Sequence, residues 1–259
     1  MTSLSPASGD DVLARVAAPP DAVVRYAAHG DGVIDLHLPD ERGPHPLVVT
    51  LHGGFWKQEF DRRHLRPLAR ALVADGCVVA APEYRRVGGA GGWPMTGDDV
   101  LAAFTALPAL LDGLGVATSS VTVLGHSAGG QLALWLAAQG GGIDRVVALA
   151  PVADLVAAAR DGLGGGATQA LLGGLPSAVP EAYAEADPLG LLGFAAPATR
   201  ITVLHGRTDP DVPIDQARSL ARRHPRVDLD ELACGHFEVI DPLSAQWPSV
   251  RAAVLGDVA

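Results

Sequence analysis

Cysteine is scarce in this 259-residue chain: only Cys77 and Cys234 are present. Two thiols cannot make a disulfide framework. Read as flanking strands at opposite edges of a parallel sheet, they also lie beyond disulfide reach, so both are expected to be buried thiols. No cluster of Lys and Arg exceeds a pair, and the formal charge is -10. That excludes nucleic acid as a partner, because such binding is mainly cationic. The apolar run from Val146 to Ala159 is broken by Pro151 and Asp154, and the first twenty residues have neither a basic start nor an apolar stretch of signal-peptide length. The expectation is a cytoplasmic protein with no membrane partner. Among nine histidines there is no HExxH and no Cys/His ligand spacing, so no metal and no cofactor are expected.

The chain is 48% hydrophobic and 19% charged, with 31 Gly and 20 Pro, a composition that suits one globular domain over residues 1–259 with many tight turns. Strand-like runs alternate with helix-length segments, the signature of a mostly parallel sheet with helices on both faces. "VIDLHLP" (33–39) alternates as a half-exposed edge strand would, whereas "PLVVTLHGG" (46–54) and "CVVAAPEY" (77–84) are continuous apolar runs, as buried parallel strands are. Between them "HLRPLARALVADG" has helical spacing. "TGDDVLAAFTALPALLDGLG" reads as a helix capped by Thr96 or Asp98 and stopped at Gly113. Then follow the strand "VTVLG", a helix from Ser127 to Gln139 and the strand "DRVVALAP". Residues 152–200 are irregular and rich in Gly, Ala and Pro, a small cap-like insertion over the sheet. The alternation resumes with "RITVLHGRTD", the helix "PIDQARSLARRH", the strand "VDLDELA" and a last helix from about Pro242 to Leu255.

Gly125-His126-Ser127-Ala128-Gly129 is a Gly-x-Ser-x-Gly stretch. At this composition chance supplies roughly 0.14 such stretches, so context must carry the reading. The context is a buried strand on one side and a helix on the other. A sharp turn there needs small residues beside the serine and pushes its Oγ out at the helix N-terminus, where unpaired amides, Ala128 among them, face developing negative charge.

A serine needs a base oriented by an acid, in this arrangement in the order Ser, Asp, His. "HGRTDPDVP" and "ACGHFEVIDP" follow the last two strands, at the carboxyl ends of the sheet, where catalytic loops sit. His236 is the expected base. Asp209 is the expected acid, coming first after its strand and four residues past His205; Asp211 could instead cap the turn before the helix near Pro213. Asp241 reads as a helix N-cap before Pro242. "LHGGFW" (51–56) ends an early strand, and its two glycines let backbone amides turn inward, as the second half of an oxyanion hole requires.

With these four elements the chain resembles the α/β-hydrolase superfamily from about Val33 onward. "HGGFW" resembles the HGGxW motif of kynurenine formamidases and their esterase relatives, and "EYRRVGGAGGWPMTGDDV" resembles the YRL block of hormone-sensitive-lipase-like esterases. "HGRTDPDVPIDQA" is similar to the HGxxDxxVPxxQ acid loop of this group and of prolyl-oligopeptidase-like enzymes. The resemblance implies an α/β-hydrolase fold of about eight strands, a Ser127–His236–Asp209 triad and an oxyanion hole from the amides of Gly54, Phe55 and Ala128. It further implies two-step acyl transfer on a short-chain carboxylic ester or aryl formamide.

Phe55, Trp56, Trp93 and Phe237 lie in or next to the loops so identified, suggesting an apolar pocket under a modest cap. Trp56 packing under the oxyanion loop and Trp93 anchoring "GGWP" are the structural alternatives. A small-molecule substrate is the expected partner, and a homodimer is compatible with this reading. A prolyl-oligopeptidase-like peptidase and a non-hydrolytic tailoring or ligand-binding protein are the competing functions; the first usually carries a propeller domain, for which this chain has no room.

Overall fold

The computed structural model describes residues 9–41, 43–196 and 198–256. Eight strands form one sheet: β1 (Ala22–Arg25), β2 (Val33–His37), β3 (His45–Leu51), β4 (Val78–Pro82), β5 (Thr118–His126), β6 (Arg145–Leu149), β7 (Arg200–Gly206) and β8 (Val227–Leu232), in the order β1-β2-β4-β3-β5-β6-β7-β8. β1 and β2 run antiparallel at one side and the other six are mutually parallel. This is the mostly parallel sheet that the alternation implied.

Side chains of the parallel strands alternate between two cores, as the pleat dictates. Val49, Val123, Val146 and Ala148 face one, and Val48, Leu124, Val147 and Leu149 the other. The first core is closed by α3 (Met95–Gly113), α4 (Ala128–Ala138) and α9 (Asp215–Arg223). The second is closed by α2 (Arg66–Ala74), α10 (Trp247–Leu255) and Val12 of the short α1 (Gly9–Leu13). Between β6 and β7 the chain forms α5 (Leu155–Arg160), α6 (Leu163–Leu172), α7 (Pro180–Ala186) and α8 (Pro188–Leu191), a helical insertion where irregular chain was expected. It packs on α4, whose residues 128–137 are all buried. A helix apolar on every side is stable only when covered on every side.

Several local readings are corrected. β2 is not the half-exposed edge: β1, whose four residues alternate between half-buried and exposed, takes the edge and covers it. Thr96 and Asp98 do not cap α3, which starts at Met95; the Thr96 hydroxyl instead donates to the Arg85 carbonyl at 2.7 Å. α3 does stop at Gly113, as expected, and the left-handed glycine beyond it is Gly115. α10 starts at Trp247, five residues after Pro242, so Asp241 caps a turn through Leu243 N and binds Arg15 at 2.6 Å. Both cysteines are free and buried. No helix among the described residues is long and apolar enough to cross a membrane.

Candidate active site

Ser127 joins β5 to α4 at φ 56° and ψ -117°. Such a conformation costs on the order of 1–3 kcal/mol for a residue with a β-carbon. Three hydrogen bonds hold it there: Ser127 N donates to Leu149 O at 2.8 Å, and Ser127 O accepts from Gln131 N at 3.1 Å and Val152 N at 3.2 Å. Close approach explains the neighbouring glycines. A β-carbon on Gly125 would run into the Gly129 carbonyl, and one on Gly129 into the Leu51 carbonyl.

His236 follows β8 and Asp209 follows β7, and their side chains meet: His236 Nδ1 donates to Asp209 Oδ2 at 2.6 Å. The other carboxylate oxygen of Asp209 accepts from Asp211 N at 2.9 Å and Val212 N at 2.8 Å. Burial alone would raise the Asp209 carboxyl, but hydrogen bonds from His205 and His236 outweigh it and hold the group well below the usual carboxylate range. Asp211 is exposed, and α9 begins at Asp215 without a side-chain cap, so Asp211 does not cap it. One potential ligand atom each from Asp209, Asp211 and His236 lie within 4.8 Å of one another; the hydrogen bond between Asp209 and His236 accounts for two of the three.

The loop after β3 carries consecutive left-handed residues, Gly54, Phe55 and Trp56, at φ 105°, 49° and 56°. Its first residue is fixed from both sides. His52 Nε2 donates to Glu83 Oε1 at 2.7 Å, and the Tyr84 hydroxyl donates to His52 O at 2.7 Å while its ring stacks on the imidazole. Glu83 also receives Arg86 and, at 3.3 Å, Arg62. Burial opposes its charge, but His52 and Arg86 hold its carboxyl far below the normal range. Sequence reasoning missed this support, because the partners come from three separated segments, around residues 52, 62 and 83–86. The amides of Gly54, Phe55 and Ala128 make no backbone hydrogen bond among the described residues, so all three stay available as donors.

The four aromatic residues do not share one pocket. Trp56 is 0% exposed, and its Nε1 donates to Gln131 Oε1 at 3.1 Å, so it packs beneath the loop and cannot line a cavity. Trp93 packs edge-on against Trp135, at 5.2 Å and 88°, and its amide donates to Leu171 O of α6 at 2.8 Å. Phe237 belongs to the other core, its ring close enough to Gly9 that a β-carbon there would lie 2.6 Å away. Phe55 reaches the insertion through its side chain, half-buried with its ring against Gly164. A cavity of about 400 Å³ opens between the N-terminal segment and the loop after Trp56, lined by Leu13, Arg15, Phe60, Arg63 and His64; the Phe60 ring also packs on Gly54.

A family model described as BD-FAE matches residues 34–223. No curated protein matches the chain. Among solved structures, the fold is similar to esterase B from Lactobacillus rhamnosis, with a TM-score of 0.78 at 18% identity over 95% of this chain and 88% of that one. It is similar to a truncated carbohydrate esterase from gut microbiota, with a TM-score of 0.76 at 16% identity over 92% of this chain and 100% of that one. In a bifunctional GH43-CE protein from Bacteroides eggerthii the TM-score is 0.68 at 21% identity over 82% of this chain, which spans 35% of that protein's length.

Proposed function

The chain belongs to the BD-FAE family, an α/β-hydrolase-like esterase family, and from that premise we propose that it hydrolyses a short-chain carboxylic ester by a serine mechanism. The observation that carries this reading is the 2.6 Å hydrogen bond from His236 to Asp209, made by loops at the same sheet end as the strained Ser127 turn. In the proposed reaction the Ser127 hydroxyl gives its proton to His236 Nε2 while its oxygen attacks the acyl carbon. The oxyanion forms among the amides of Gly54, Phe55 and Ala128. Each such donor typically contributes 10²–10³ in rate.

Collapse of that intermediate expels the alcohol, which takes the proton from His236. Water then repeats the sequence on the acyl-enzyme. Asp209 stays ionised and stabilises the imidazolium, consistent with the depressed carboxyl described above. A small acyl group suits a site where the inserted helices act as a cap and bring Gly164 onto Phe55. Aryl formamide hydrolysis is the second reading, favoured by the HGGFW loop with Phe55 left-handed in place of a third glycine.

The test compares p-nitrophenyl acetate and butyrate with N-formylkynurenine, using wild type and Ser127→Ala. Wild type is expected to exceed the variant by at least on the order of 10³-fold on the acetate, and a fluorophosphonate is expected to label Ser127. Equal, poor turnover by both proteins without labelling would point to a non-hydrolytic role. Release of an amino acid from a proline-containing dipeptide amide in place of ester cleavage would point to a peptidase.

A further inference from the structure

His126, the last residue of β5, is buried and has no part in the proposed proton transfers. Its ring nevertheless meets two other loops of the site at once. Nε2 lies 3.0 Å from the carbonyl oxygen of His236. A carbonyl only accepts, so Nε2 carries the proton and donates. No other hydrogen bond to the His236 carbonyl is found among the described residues. On the opposite side, a β-carbon at Gly53 would lie 3.0 Å from His126 Nδ1, 3.0 Å from His126 O and 3.0 Å from Ser127 Cβ. The His126 and His236 rings also pack at 4.6 Å between centroids.

We infer that His126 is a positioning residue: its neutral Nε2–H tautomer ties the base loop to the serine turn, while its bare Nδ1 edge lets the oxyanion loop close over the same ring. The inference rests on reading Ser127 and His236 as nucleophile and base. The base loop is independently held upstream, where Thr208 N and Oγ1 both donate to Cys234 O at 3.1 and 2.9 Å, and downstream by the 3₁₀ turn Glu238–Ile240. Between these anchors His126 is the group that fixes the carbonyl of His236 itself. A cationic His126 would place a second positive charge beside the imidazolium formed in the reaction. Burial, with His236 nearby, keeps the His126 ring well below the ordinary histidine range, so it stays neutral.

The experiment compares His126→Met, which fills the space without a donor, with His126→Gln, which restores an N–H at similar reach. Steady-state kinetics on p-nitrophenyl acetate would show kcat at least tenfold lower in the Met variant with KM within twofold, and kcat recovered to within threefold of wild type by Gln. Nitrogen-15 spectra of histidine-labelled wild type, assigned through bonds, are expected to show His126 as the Nε2–H tautomer, an observation that does not depend on either variant folding. Equal kcat in the two variants, or an Nδ1–H tautomer, would overturn the inference. Undiminished turnover by Ser127→Ala in the same assay would instead overturn the reading beneath it.

Discussion

Gly164 of the insertion lies so close to Phe55 of the loop after β3 that a β-carbon there would sit 2.6 Å from the ring. Gly165, its neighbour, has the same left-handed backbone, φ 71° against 61°, but open space where its side chain would be. The pair separates backbone strain from contact with the loop. Each Ala substitution is expected to destabilise the fold by about 1–2 kcal/mol, lowering Tm by a few degrees for a chain of this size. Only Gly164→Ala displaces Phe55, so only that variant is expected to lose turnover, by about tenfold, a barrier increase of about 1.4 kcal/mol. Calorimetry and ester kinetics on both variants check this, and similar kinetic losses in both would refute it.

Asp209 and Asp211 stand two residues apart, but only Asp209 turns its carboxylate to His236. Asp209→Asn is expected to lower kcat by on the order of 10³–10⁴, since the amide can hold the wrong imidazole tautomer and cannot stabilise the imidazolium. Asp211→Asn, at an exposed position, is expected to stay within about threefold of wild type. Comparable losses in the two variants would reassign the acid.

Asp187 joins α7 to α8 and accepts the amides of Leu155 at 3.3 Å and Leu189 at 3.1 Å through Oδ1. Burial raises its carboxyl to about 6 from the ordinary 3.8, despite those hydrogen bonds. The folded state therefore holds a proton that the unfolded state releases between about pH 4 and 6. From this group stability falls as pH rises through that window and is level above it. Asp187→Asn keeps the accepting Oδ1 and has no proton to lose. Urea unfolding is expected to find it close to wild type at pH 4 and more stable by about 1–3 kcal/mol at pH 8. An unchanged difference between the two pH values would rule this out.

Composition and order made much of this molecule readable. Buried parallel strands are continuous apolar runs, so "PLVVTLHGG" and "CVVAAPEY" announced β3 and β4, and Ser127, Asp209 and His236 follow β5, β7 and β8 in the expected order. β1 was not legible, because an edge strand of four residues buries too little to leave a pattern. The helices of the insertion were hidden by glycine: Gly164, Gly165 and Gly166 are all left-handed at the start of α6, where propensity argues against helix. The start of α10 moved because the proline in its first turn is Pro248, whereas Pro242 lies in the preceding turn. His126, Gln131 and the Glu83 cluster escaped notice because their partners are distant in the chain, and only the fold brings them together.

Gln131 links the two halves of the site, receiving Trp56 Nε1 with its oxygen and donating to Ala186 O at 2.9 Å with its nitrogen. It does so from α4, whose residues 128–137 are all buried. An engineer who wants a more open enzyme therefore cannot shorten the chain between β6 and β7: trimming it would strip the cover from an apolar helix and invite aggregation before any new substrate arrived. Selectivity in this scaffold must be retuned by exchanging side chains along the inner lining, with the backbone above them left at full length.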